Sequence, residues 1–130
     1  MGPPGPGAVV LDAGALVAFE RNDRRVRRLV ELAAANGRHL HVPTGVIGQV
    51  WRDGARQARL TRLVRSGVLD VRALDLDEAR AAGVACGLGG TADVIDASVT
   101  ILARRHGGVV VTSDPADLHR LDPGLTLVIC

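Results

Sequence analysis

The 130-residue chain is 47% hydrophobic but only 2% aromatic, so it can build one core from Val, Leu, Ile and Ala but is too short for two comfortable domains. Its 16 basic residues are all Arg; lacking Lys, it cannot be an intact phosphoacceptor receiver domain, a haloacid-type phosphatase or a P-loop nucleotide-binding protein, each of which holds phosphate with a Lys. Residues 1–72 carry 12 Arg against 6 acids (net +6) and residues 73–130 carry 4 Arg against 8 acids (net −4), a bias that suits a polyanion held beside an acidic centre, although a solvated basic face is its commoner meaning.

The start, MGPPGPG, has neither the charged residues nor the apolar segment of a signal peptide, and Pro6 stands where a myristoylation signal wants Ser or Thr. Residues 1–7 read as a flexible lead-in and residues 8–130 as a single domain. No apolar run approaches the roughly 18 residues that span a bilayer. Cys86 and Cys130 form no metal-type spacing, which points to a reduced, cytoplasmic setting. His39, His41, His106 and His119 are scattered without zinc-ligand spacing and read as ordinary surface or packed histidines.

Gly7 to Asp12 is a short apolar run ending in an acid, expected as a buried strand, followed by a brief helix over Ala13–Glu20. Asp23 caps a clearer helix to about Ala35, with Val26, Leu29, Val30, Leu32 and Ala33 as its apolar stripe and Asn36-Gly37 as its stop. His39–Val42 is a second strand. Pro43 and Thr44 open a helix containing Val46, Ile47, Val50 and Trp51, which Gly54 breaks. Ala55–Arg65 is the next helix, with Arg56, Arg59, Arg62 and Arg65 at spacing three; the stripe suits a phosphate backbone, but such stripes are more often a wet helix face. Val68–Leu74 is a third strand. A helix from Asp77 through Cys86 leads to GLGG (87–90), expected as a loop.

Thr91–Leu118 then concentrates acids. Thr91 is expected as the N-cap of a helix carrying Val94, Ile95, Val99, Ile101 and Leu102, stopped at His106-Gly107-Gly108. The run Val109–Val111 reads as a buried strand, Pro115–Leu121 as a last helix and Leu125–Ile129 as a final strand. Strands alternating with helices predict an α/β domain of three layers, a mostly parallel central sheet covered by helices on both faces.

In such a sheet ligands bind beyond the carboxyl ends of the strands. Asp12 ends the first strand, Asp114 follows the Val109–Val111 strand, and Asp93 and Asp96 open a helix whose N-terminus lies at the same edge. Carboxylates so gathered repel one another unless a cation lies between them, and oxygen-only ligands select Mg²⁺ or Mn²⁺ over zinc. Acids in a first helical turn are also common as capping residues, a reading that weighs most on Asp93.

Three segments, VVLDAGALVA, TADVIDASVTILARRHG and VVVTSDPADL, together resemble a PIN domain, the fold of VapC-type toxin ribonucleases, over almost the whole chain. The resemblance implies a metal-dependent endoribonuclease, the toxin of a type II toxin–antitoxin pair, with Asp12, Asp96 and Asp114 as catalytic metal-binding acids and Asp93 as a further ligand. It makes Asp117 an auxiliary acid and implies RNA as substrate, a cognate antitoxin and a homodimer. Thr112 or Ser113 would position water or phosphate, and Arg52 is suited to touch phosphate bidentately. One position departs: Gln49 stands where the family has Glu, offering an oxygen but no charge. That motivates an alternative, a catalytically weakened PIN domain that binds RNA or a protein partner without cleavage. A metal-dependent hydrolase of small phosphate esters is a second rival.

Overall fold

The computed structural model describes residues 8–106 and 108–130; the lead-in at residues 1–7 and Gly107 lie outside them. In chain order the elements are β1 (Val9–Leu11), α1 (Ala13–Glu20), α2 (Arg24–Ala35), β2 (Leu40–Pro43), α3 (Thr44–Val50), α4 (Ala58–Arg65), β3 (Leu69–Arg72), α5 (Leu76–Gly89), α6 (Val94–Arg105), β4 (Val109–Thr112), α7 (Pro115–Leu121) and β5 (Thr126–Ile129). The strands form one five-stranded sheet in the order β3-β2-β1-β4-β5. Every pairing is parallel, so the expected mostly parallel sheet is wholly parallel among the described residues.

Parallel neighbours require crossovers, and right-handed crossovers fix the layers. From β1 the chain steps one way to β2 and β3, which puts α1–α4 on one face; the return to β4 and the step to β5 put α5, α6 and α7 on the other. The packing agrees: α1 lies against α2, α3 and α4, while α6 lies against α5 and α7 and over β1, β2 and β4. Between them Val10, Leu11, Val42, Val99, Val110 and Val111 are at most 1% exposed, an apolar filling of branched aliphatics that parallel strands covered on both faces demand. The strand order reverses between β1 and β4, so a crevice opens beyond their carboxyl ends.

Local hydrogen bonding shifts several expected boundaries. The amide of Gln57 accepts from the backbone N–H groups of Arg52 and Asp53 and donates to the Val50 carbonyl. That brace ends α3 at Val50, well before Gly54, and delays α4 to Ala58 rather than Ala55. The α4 N-terminus is then closed from 40 residues away, because the Leu60 N–H donates to Glu20 Oε2 at 2.7 Å. Asp75 caps α5 by accepting from Glu78 N, so the helix starts at Leu76, one residue before the expected Asp77. The helix runs on through Gly87-Leu88-Gly89 instead of yielding to a loop, and Gly90 ends it in the left-handed conformation at φ 67°. Asp93, not Thr91, caps α6; Thr91 Oγ1 instead accepts from Asp93 N.

Candidate active site

The register Leu11↔Val111 sets Asp12 beside Thr112 at the carboxyl ends of β1 and β4. Asp12 is 5% exposed and doubles as the N-cap of α1, its Oδ1 accepting from Ala15 N at 2.9 Å. Burial raises its pKa above the usual carboxylate value, against hydrogen bonds from the Thr112 hydroxyl and from the N–H groups of Ala15 and Gly14, which lower it; the charge of Asp114 raises it further. Thr112 is fully buried, and its Oγ1 also accepts from Asp114 N at 2.9 Å. Its hydroxyl thus helps to orient two acids.

The two loops are pressed together at Gly14. A Cβ there would overlap Ser113 Oγ and stand 3.1 Å from Ser113 N, so only glycine lets the first turn of α1 lie against the β4–α7 connection. Nothing in the sequence spacing flags this pair.

Helix α6 brings its N-terminus to the same crevice. Asp93 Oδ1 accepts from Asp96 N at 2.9 Å, and Asp96 is half-buried. Desolvation, then the charges of Asp93, Asp12 and Asp117, push the Asp96 pKa up to about 6. Asp117, in the first turn of α7, is raised chiefly by its hydrogen bond to Asp114 and by that residue's charge. Asp12, Asp93, Asp96, Asp114 and Asp117 thus feel one another electrostatically, and among the described residues none of the five forms an ion pair. The donor chemistry fits a hard divalent cation, since it is all carboxylate oxygen. As placed, no group of three or more His, Cys, Asp or Glu among the described residues is positioned to hold a metal ion.

Gln49 is half-buried on α3, one turn after Gly45, where a Cβ would stand 3.2 Å from the Ile95 side chain. Positions four apart share a helix face, so Gln49 is on the face of α3 turned toward the α6 N-terminus. Arg52 is exposed beyond α3, and its Nη1 donates to the carbonyls of Gly48 and Trp51; it makes no ion pair with the acids. Helices α1, α2 and α4 line an open groove of about 390 Å³, with Phe19, Val30, Ala34, Leu63, Arg27, Arg59 and Arg62 among its lining residues.

No protein-family model matches the sequence, and no curated protein matches it. Solved structures do match in shape. A chain of VapBC2 from Rickettsia felis, bound to a DNA fragment from their promoter, gives a TM-score of 0.70 at 15% identity over 95% of this chain and 98% of that one. PAE2754 from Pyrobaculum aerophilum gives 0.66 at 21% identity over 94% and 84%. DNA-bound VapBC from Salmonella typhimurium gives 0.66 at 19% identity over 95% and 98%. At such identities the likeness lies in the fold.

Proposed function

We propose that this chain, which has the PIN fold of the VapC-type toxin structures, is a metal-dependent endoribonuclease and the toxin of a type II toxin–antitoxin pair. The observation that supports the reading is electrostatic: desolvation and the charges of Asp93, Asp12 and Asp117 raise Asp96 to a pKa of about 6, burial and Asp114 raise Asp12, and Asp114 raises Asp117. Among the described residues none of these five acids forms an ion pair. A site that raises its own acids is destabilised by their charge, and a divalent cation is the ligand that relieves it.

Asp12, Asp96 and Asp114 would hold Mg²⁺ or Mn²⁺, with Asp93 and the amide oxygen of Gln49 assisting. When bound, such an ion supplies a nucleophilic water near neutral pH and neutralises charge on the leaving oxygen of a phosphodiester. The chain's own part is orientation. Asp12 is fixed by the α1 N-terminal amides and Thr112, while the Asp114 backbone is tied to the same hydroxyl. Asp114 and Asp117 are exposed and can change rotamer as a cation enters. The arginines of α2 and α4 provide the long-range attraction an RNA backbone needs. A cognate antitoxin would lay an apolar segment in the groove between α1, α2 and α4, its acidic flanks meeting Arg27, Arg59 and Arg62. A homodimer would cover the apolar row on α5, where Leu76, Val84 and Leu88 are 65%, 64% and 86% exposed.

Purified protein incubated with structured RNA and Mn²⁺ tests this beside an Asp12→Ala, Asp96→Ala double variant. Cleavage by the wild type alone supports the enzyme. Metal-dependent RNA binding without cleavage favours the weakened domain that Gln49 suggests, and equal cleavage in both samples refutes the assignment.

A further inference from the structure

At the far end of α6 from the acids lies a second polar cluster. His41, on β2, is 5% exposed, and its ring stacks on His106, the residue that follows α6, with centroids 6.0 Å apart and planes 22° from parallel. His41 Nδ1 is 3.3 Å from Asp70 Oδ2 on the neighbouring strand. The angles there are not those of a hydrogen bond, so the buried Nδ1 has no partner. Asp70 gives its oxygen instead to Arg72, whose Nη2 and Nε donate to Oδ2 at 3.2 and 3.3 Å. The groups facing His41 are thus Asp70 and Arg72 from β3 and His106; those facing His106 are Arg72, Asp70, Glu78 from α5 and Arg105 of its own helix.

We propose that the stacked His41–His106 pair is a proton-sensitive clamp, holding the C-terminal end of α6 against β2 and β3 while both rings are neutral and releasing it when they take up protons. A proton on His41 would sit in a buried site whose one acid is already engaged by Arg72. A second proton on His106 would stack cation upon cation, next to Arg72 and Arg105. The attraction of Asp70 opposes both effects, but burial is the larger influence, and both imidazoles are held below their ordinary pKa, chiefly by burial. The sign follows: the opened state binds protons first, so the clamp is intact above the free-imidazole value and weakens as pH falls below it. This stands on the cluster's geometry and is unaffected by whether the crevice cleaves RNA.

Amide hydrogen exchange of the whole chain, corrected for intrinsic rates, tests the proposal at pH 7.5 and 5.5. One pH unit below a free-imidazole pKa of 6.5, a ring that must open to be protonated raises local opening about tenfold. With two such rings the wild type is expected to lose between about tenfold and about a hundredfold protection in the last turn of α6 relative to Val10 and Leu11 of β1. His106→Gln, and His106→Phe, which keeps a stacking ring without a titrating nitrogen, leave only His41 to titrate and are expected to lose several-fold less protection than the wild type, at most about tenfold. An equal drop in wild type and both variants, no drop in wild type, or a loss spread evenly over the chain would overturn the clamp.

Discussion

Asp96→Asn is expected to make the metal-free protein more stable while disabling it. Holding Asp96 at about 6 instead of the usual 3.8 penalises the folded ionised state by on the order of 3 kcal/mol at 1.36 kcal/mol per pH unit. Asp96 is only half-buried, and solvent screening reduces this to about 1–2 kcal/mol. An amide of the same shape carries no charge and removes the penalty. Because the folded pKa lies above the unfolded one, the wild type regains stability as pH falls from about 6 toward 3.8. The advantage of the variant is therefore complete above pH 6 and vanishes near pH 4. Urea midpoints in EDTA across pH 4–8, converted with a shared m-value, measure it. A variant less stable at pH 7.5, or a gain that does not change with pH, refutes the electrostatic reasoning. Addition of Mn²⁺ should reverse the ranking, since only the wild type gains binding free energy.

Gly14→Ala should force Ser113 aside, at about 1–3 kcal/mol of stability by the usual range for overpacking and at least about tenfold in Mn²⁺-dependent RNA cleavage, the scale on which misplaced supports act on metal sites. Combining it with Ser113→Gly should restore much of both, because the two sites share one contact, and a strictly additive double variant would count against the fit. Glu20→Ala removes the acceptor for Leu60 N and should lower the urea midpoint by the equivalent of about 1–2 kcal/mol, the scale of a lost helix cap. Hydrogen exchange should place that loss in the first turn of α4.

The order of strands and helices could be read from sequence because its signals are local. Val-rich runs ended by Asp12 and by Thr112-Ser113-Asp114 announce strands reaching a crevice, and Asp23 before an arginine-rich amphipathic helix announces a cap. The misplaced boundaries arose where two local signals competed. Thr91 and Asp93 can each cap a helix, and only the Asp93 carboxylate reaches the required N–H. Gly87 and Gly89 look like breakers, but their helix continues, and Gly89 lies against the Arg120 carbonyl at a distance a Cβ would make 3.3 Å. What could not be read is long-range: Gly14 with Ser113, Glu20 with Leu60, and the union of His41, Asp70, Arg72 and His106 from two strands and a helix end. Gln57 shows the same limit at short range, since its brace depends on a turn that no periodicity announces.

Helix α1 is eight residues long, so by 1.5 Å per residue it spans about 12 Å. Its first turn fixes Asp12 and its last residue, Glu20, fixes α4, while Phe19 lines the groove between α1, α2 and α4. The acids and the groove therefore share one short helix. If an occupant of the groove displaces Phe19 or Glu20 and so shifts α1, it should change the affinity of the acids for a cation, and the cation should then change that occupant's affinity by the same factor. The Mn²⁺ affinity measured with the groove filled and empty would give that factor directly, as a coupling free energy, before any RNA is added.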